Sequence, residues 1–362
     1  MPLAATHNIC QRGKPFSVNS SGRLYGGKLL KRTGVVSQLG KPLVFSRAHV
    51  HADHAFGLVA QQRAVAQHCA NASANNTVPG FALDASSHAA PVRTLGGASP
   101  GLRLPIGIAT EKPGNLHGAN RLGSKVTVYA SMAQGDVAPT PSITAAGMGP
   151  PQGLAIGPTD NLNMSACPNC GSAAGSSTAV YHFNTGSSVN DHPIAGSNTG
   201  MTVPGNIALD SSRNLIVANS FGGNVAVFAP GDSGNTLPIR SFTSPAGANV
   251  QDMALEPNSG NNAIVPTVPG RGVELYTSIA GTGAMPAATL AASGTLTIDY
   301  PGGVFFDNAL SPPTVYLVDY GSSAGQVIQT AGTAPKLTVA SMETITGAAT
   351  RLSSPLGLTV VR

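Results

Sequence analysis

Apolar residues in this chain come in short blocks cut by clusters of Gly, Pro, Asn, Asp and Ser, the pattern of brief β-strands joined by tight turns. The clearest stretch is residues 203–240, VPGNIALDSSRNLIVANSFGGNVAVFAPGDSGNTLPIR. Asn206 to Leu209 reads as a strand buried on both faces, and Asp210 to Asn214 as a turn whose side chains bond their own backbone. Leu215 to Ala218 and Val225 to Phe228 are two more apolar runs. Pro238 to Phe242 alternates, as a half-exposed outer strand does. Together they make one four-stranded unit, with strands A, B, C and D in chain order.

The unit repeats. A proline or its substitute opens strand A at Pro105, Pro151, Pro204, Val250, Pro301 and Pro355, with Ala55 as a weaker earlier copy. A second proline opens strand D at Pro42, Pro91, Pro139, Pro193, Pro238, Pro286 and Pro335. Phe81, Tyr129, Phe183, Phe228 and Tyr276 each stand ten residues before the strand D proline. A period of about 50 residues of this kind marks a propeller or solenoid. The expectation is an all-β, seven-bladed β-propeller of four-stranded blades, with six blades as the alternative if the poorly matching first 60 residues lie outside the ring. Residues 1–54 read as a degenerate basic partial blade that forms one domain with the repeats of residues 55–362. The bare A strand Pro355 to Val361 is expected to close the ring on a B-like strand at Gly22 to Tyr25, which protects sheet edges. Phe56 to Ala60, Ala64 to Asn71, Thr77 to Ala82 and Pro91 to Leu95 read as the next four strands, with Pro79 a defect inside one of them.

Composition changes this picture little. Charged residues are 10% and hydrophobic residues 41% of the 362, and there is no Trp, so a WD-type signature is missing. The net charge of +5 is concentrated: residues 1–52 hold eight Lys or Arg and no acid, leaving 12 basic and 15 acidic residues in the remainder. Without interleaved aromatics or a nucleic-acid-binding fold, that basic segment reads as a solvated surface, and nucleic acid is not the expected partner. No run of about 20 apolar residues predicts a membrane span. Residues 1–16 lack the apolar region of a signal peptide.

The residues Pro151-Gln152-Gly153-Leu154-Ala155, Asp210-Ser211-Ser212, Val217-Ala218-Asn219 and Val225-Ala226-Val227-Phe228-Ala229 carry a resemblance. P-x-G-[IL]-A, the D-S-S turn, V-A-N and V-x-V-[FY]-A are similar to the repeats of NHL- and YVTN-type bacterial propellers. The likeness spans roughly residues 64–361 and implies fold more than activity, since such propellers host binding proteins, lactonases and lyases. It also implies an extracytoplasmic or secreted protein. The gluconolactonase-like relatives hold a central metal with a carboxylate and amides, but no motif here carries those residues over.

Two local motifs suggest chemistry. His49, His51, Asp53 and His54 form HxHxDH, which resembles the metal-binding motif of metallo-β-lactamase-fold hydrolases, where the histidines converge on zinc. In this chain the motif is succeeded by propeller repeats rather than by the layers of that hydrolase fold, so a polar D–A loop is the competing reading. Strands alternate in direction, so D–A and B–C loops share one face. The His cluster is therefore placed at the channel rim as a site for Zn, Ni or another divalent cation. Cys167 and Cys170 form a lone CxxC in a B–C loop, read as a local disulfide or a thiol pair. Glu111, Asp210, Glu256 and Asp307 recur where strand A ends and read as turn formers, with a cation-binding carboxylate ring as the lesser reading.

The functional expectation is a monomeric, non-catalytic binding or scaffold propeller without a required cofactor. It would take a protein or small-molecule ligand on the loop face and channel. A metal-assisted lactonase or lyase is the rival, and a degenerate repeat protein without selected activity is the third reading.

Overall fold

The computed structural model describes residues 62–67 and 76–361 apart from short internal stretches, the longest being 168–178, 184–192 and 332–342. The strands follow the repeat. Sheet I begins with β1 (Gln62–Gln67), β2 (Thr77–Ala82) and β3 (Arg93–Gly96). Sheet II is β4 (Pro105–Thr110), β5 (Leu116–Asn120), β6 (Lys125–Tyr129) and β7 (Ser142–Ile143). Sheet III is β8 (Pro151–Ile156), β9 (Leu162–Ala166), β10 (Ala179–Phe183) and β11 (Ile194–Ala195). Sheet IV is β12 (Pro204–Leu209), β13 (Leu215–Asn219), β14 (Asn224–Phe228) and β15 (Arg240–Thr243). In sheet V, β16 (Asn249–Val250) and β17 (Ala254–Leu255) both pair with β18 (Ala263–Val268), which leads to β19 (Gly272–Tyr276) and β20 (Ala288–Leu290). Sheet VI is β21 (Pro301–Asp307), β22 (Thr314–Asp319), β23 (Gln326–Ala331) and β24 (Glu343–Thr346). All pairings are antiparallel, and the helical pieces among the described residues are short 3₁₀ turns such as Arg121–Gly123.

The final strand, β25 (Pro355–Val361), pairs antiparallel with β1 and supplies the inner strand of sheet I. This corrects two expectations. The C-terminal strand closes on Gln62–Gln67 rather than on residues 22–25, and it takes the place given to Phe56 to Ala60. Among the described residues there are six sheets, not seven, and their inner strands form a closed circuit. A Cβ added to Gly303 of β21 would strike the Leu356 carbonyl of β25, and one on Gly357 of β25 would strike the Ile106 carbonyl of β4. That proximity leaves no room for a further blade between sheets VI and I. The predicted partial blade at residues 1–54 lies outside the described residues.

The core is divided as a ring requires. Six hydrophobic clusters each bridge two neighbouring sheets, for example Phe81, Leu358 and Val360 of sheet I with Tyr316 and Val318 of sheet VI. The repeating aromatic of strand C sits in five of the six layers: Phe81, Tyr129, Phe183, Phe228 and Tyr276 are all fully buried. Burying a ring of this size contributes about 2–3 kcal/mol each. Tyr129 can be buried because its hydroxyl donates to the Pro100 carbonyl at 2.6 Å. That of Tyr276 donates to Glu274 at 2.7 Å.

Three of the outer edges, those of sheets I, III and VI, are covered by the neighbouring blade. The C–D loop of sheet II lays Gly135 against β3, with Gly135 N–H donating to the Thr94 carbonyl at 2.7 Å and Gly96 N–H donating to the Gly135 carbonyl at 3.1 Å. Gly234 repeats this on β11, and Ser87 on β24. Gly135, Gly234 and Ser87 all have positive φ (70°, 64° and 53°), which turns the loop back onto the edge. The latch satisfies edge groups that would otherwise invite pairing between molecules.

Candidate functional site

Strand A differs from its prediction in a way that makes the site. Asn206, Ala208 and Leu209 are half-buried rather than buried, because one face of every inner strand looks into the axial channel. Each strand begins with proline or valine and then bulges. The register slips between Pro105 and Ile108, Pro151 and Leu154, Pro204 and Ile207, and Pro301 and Gly303. The bulge sets two residues per sheet at the channel mouth, on the face shared by D–A and B–C loops. At the second of these the ring reads Gly107, Gly153, Asn206, Asp252, Gly303 and Gly357. At Gly107, Gly153, Gly303 and Gly357 an added Cβ would collide with the backbone of the next sheet. Two adjacent positions break this glycine ring with a carboxamide and a carboxylate.

Asn206 and Asp252 stitch four sheets together. Asn206 Oδ1 accepts from Leu154 N–H of sheet III at 3.2 Å. The Asn206 side chain also hydrogen-bonds the Asp252 carboxylate. Asp252 Oδ1 accepts from Met253 N–H at 2.6 Å, and Oδ2 from Val304 N–H of sheet VI at 2.8 Å. Asp252 is 2% exposed. Burial pushes its pKa up to about 7, against the pull of these three hydrogen bonds. A carboxylate has about four acceptor positions, so about one remains beyond these three bonds, and Asp252 is among the residues lining the cavity at the mouth.

Around this pair lies a cavity of about 270 Å³ lined by Arg121, Gln152, Ser220, Gln251 and Tyr320 as well. Arg121, Ser220 and Tyr320 occupy one repeat position, the first residue after strand B. Each donates its backbone N–H to the residue before strand A, at Leu104, Val203 and Tyr300. Buried Asn120, Asn219 and Asp319 immediately before them hold the D–A loops: Asn219 accepts from Thr202 and Val203 N–H, and Asp319 from Asp299 and Tyr300 N–H. Burial and the neighbouring Tyr300 and Asp319 push the Tyr320 hydroxyl up to about 12, so it stays protonated and can donate. Beneath the pair a second chamber of about 340 Å³, with a mixed polar and apolar lining, continues along the axis past Ala155, Ala208 and Phe305.

The residues that the sequence singles out divide sharply. His49, His51, Asp53 and His54 lie outside the described residues, as does Cys170. Among the described residues no three His, Cys, Asp or Glu side chains converge as a metal site. Cys167 is buried, holds the same repeat position as Ser220, and is disulfide-bonded to a partner outside the described residues. Asp210 acts as a turn former, accepting from Ser212 and Asn214 N–H at 2.9 and 2.8 Å. Asp307 likewise accepts from Ala309 N–H at 3.1 Å. Sequence reasoning overlooks Asn206 and Asp252 as site residues. Their signal is the P-x-G slot of the repeat, filled by P-G-N and V-Q-D where other copies have glycine third.

No family model and no curated relative matches the chain in sequence. Solved structures do match in shape. A protein of unknown function from Bacteroides caccae superposes with a TM-score of 0.60 at 11% identity, over 83% of this chain and 99% of that one. Virginiamycin B lyase from Staphylococcus aureus (TM-score 0.46, 11% identity, 70% of this chain and 73% of that) is also similar. So is AztD from Citrobacter koseri (0.46, 10%, 83% and 98%). By strand order and ring closure the described residues form a β-propeller, the fold that the resemblance to NHL- and YVTN-type repeats implies.

Proposed function

We propose that this propeller is a non-catalytic binding protein that takes a small polar ligand at the channel mouth. One observation carries the reading: the glycine ring is broken at two adjacent positions, and the resulting carboxylate and carboxamide face a concave cavity rimmed by further amides and hydroxyls. Concave sites with a few convergent polar groups suit small ligands. Asp252 accepts, while Gln152 and Gln251 can donate and accept, so a ligand rich in hydroxyl or amine groups fits best.

The test is a thermal-shift screen of polyols, sugars and small amines on the full chain and on the Asn206→Gly/Asp252→Gly double variant. That variant restores the residue used by the other four sheets, and its cooperative unfolding is checked first. Compounds that stabilise the parent should lose their effect on the variant. Equal stabilisation of both would remove the reading.

A second reading, a lactonase- or lyase-type enzyme, is favoured by Asp252 alone, whose pKa of about 7 suits a general base. Lactone hydrolysis abolished by Asp252→Asn would support it. The cation site of His49, His51, Asp53 and His54 is a separate proposal: zinc titration should show weaker binding by His51→Ala than by the parent.

A further inference from the structure

Sheets III and IV enclose a second cavity, about 410 Å³, on the face opposite the mouth, where A–B turns and C–D loops gather. Leu209, half-buried, and the exposed Pro158 and Pro230 give it apolar surface, above the buried Phe183 and Leu215. Asn163 and His182 stand on one wall, and Arg213 is on the rim. Asn163 and His182 are directly opposite each other on β9 and β10. The pair is out of keeping with the repeat. The same register holds Ile216 and Val227 in sheet IV, both fully buried against sheet V. Sheet III thus gives up two core-forming side chains at one junction. In sheet II the corresponding polar residue, His117, is answered within the protein by Glu111 at 3.1 Å. At the III–IV junction the polar pair bond each other and line the cavity.

The chemistry of the lining selects a ligand. His182 Nδ1 contacts Asn163 Oδ1, which can only accept, so Nδ1 carries the hydrogen and the imidazole is fixed in place. No Asp or Glu lines the cavity among the described residues, and Arg213 is its one cation there. Of the carboxylates nearby, Asp160 acts on His117 of sheet II, and two others are bonded elsewhere. Asp210 holds its own turn and lies 3.8 Å from Arg240, and Asp232 accepts from Ala229 N–H at 2.7 Å. Arg213 is placed on the rim by a left-handed backbone, φ 65°, closed by its N–H donating to the Asp210 carbonyl at 2.9 Å.

We propose that this cavity binds a small aromatic carboxylate, its ring on Leu209, Pro158 and Pro230 and its acid group on Arg213. The site is separate from the channel mouth, so it stands or falls independently of the function proposed there.

Benzoate is the probe, with benzamide as its neutral counterpart, titrated calorimetrically into the full chain while methyl shifts of Leu209 and Leu215 are followed. Two variants are chosen to spare the fold, and cooperative unfolding of each is checked first. Arg213→Gly suits the left-handed backbone, and Asn163→Ile/His182→Val restores the residues of sheet IV. Benzoate should bind saturably and move both methyl signals, and benzamide should bind more weakly. Arg213→Gly should bind benzoate about tenfold more weakly, as loss of a charge-assisted contact predicts, and the double variant should not bind it. No saturable binding by the parent, equal binding by Arg213→Gly, or shifts confined to the channel mouth would each overturn the proposal.

Discussion

Asp252 shows how one side chain can take on two tasks. In place of glycine it bonds the backbone of sheets V and VI, and its burial raises its pKa from 3.8 to about 7. Between about pH 4 and pH 7 the folded state retains a proton that the unfolded chain releases. Asp252 therefore makes stability fall as pH rises through that window. Denaturation followed against pH should show this decline in the parent and a flatter profile in Asp252→Asn. The glycines beside it are constrained differently. A methyl group on Gly357 would meet the backbone of Ile106 and Ile108. Gly357→Ala should cost about 1–3 kcal/mol, the usual range for overpacking, seen as a lower midpoint in urea. Nothing in the local sequence of that glycine announces the collision, because the atom it avoids belongs to a strand some 250 residues away.

Elements are legible from sequence where the repeat enforces them. The predicted Thr77 to Ala82 strand matches β2, and the A strands opened by Pro105, Pro151, Pro204, Pro301 and Pro355 are β4, β8, β12, β21 and β25. The aromatic that stands ten residues before five of the D prolines is fully buried in each case, which accounts for a spacing that composition alone would not hold. Pro79 sits inside β2 opposite Thr94 and does not break it. Legibility fails for the channel: an apolar strand lining an axial pore and one buried on both faces look alike in sequence, so Asn206 to Leu209 reads as wholly buried. The latches are also hidden, since Gly135, Gly234 and Ser87 share a backbone conformation and not a residue type. Gly135→Val should lose both that conformation and the hydrogen bonds to β3. A cost of about 1–3 kcal/mol is expected for a bulky residue held at positive φ. Faster amide exchange at Gly96 would report the freed edge.

At the scale of the molecule, closure decides both stability and blade count. Counting strands by their landmarks reaches seven only by accepting Ala55 and Pro42 among them. Pairing of β25 with β1 completes the circuit among the described residues with six sheets. Every strand of that circuit lies within residues 62–361. A chain lacking residues 1–59 should therefore keep cooperative thermal unfolding, whereas one ending at residue 354 should lose it, since Leu358, Val360 and Val361 each belong to an inter-sheet core. Circular dichroism melts of the two truncations check both outcomes.

The pairing of β25 with β1 also bears on how the protein is made. Residues 355–361 leave the ribosome after every strand they must join, so sheets can assemble one by one during synthesis while the wheel stays open. The ring of inner strands can close only once translation has passed residue 361, and until then each nascent copy offers two unsealed flanks to chaperones or to its neighbours on the same messenger.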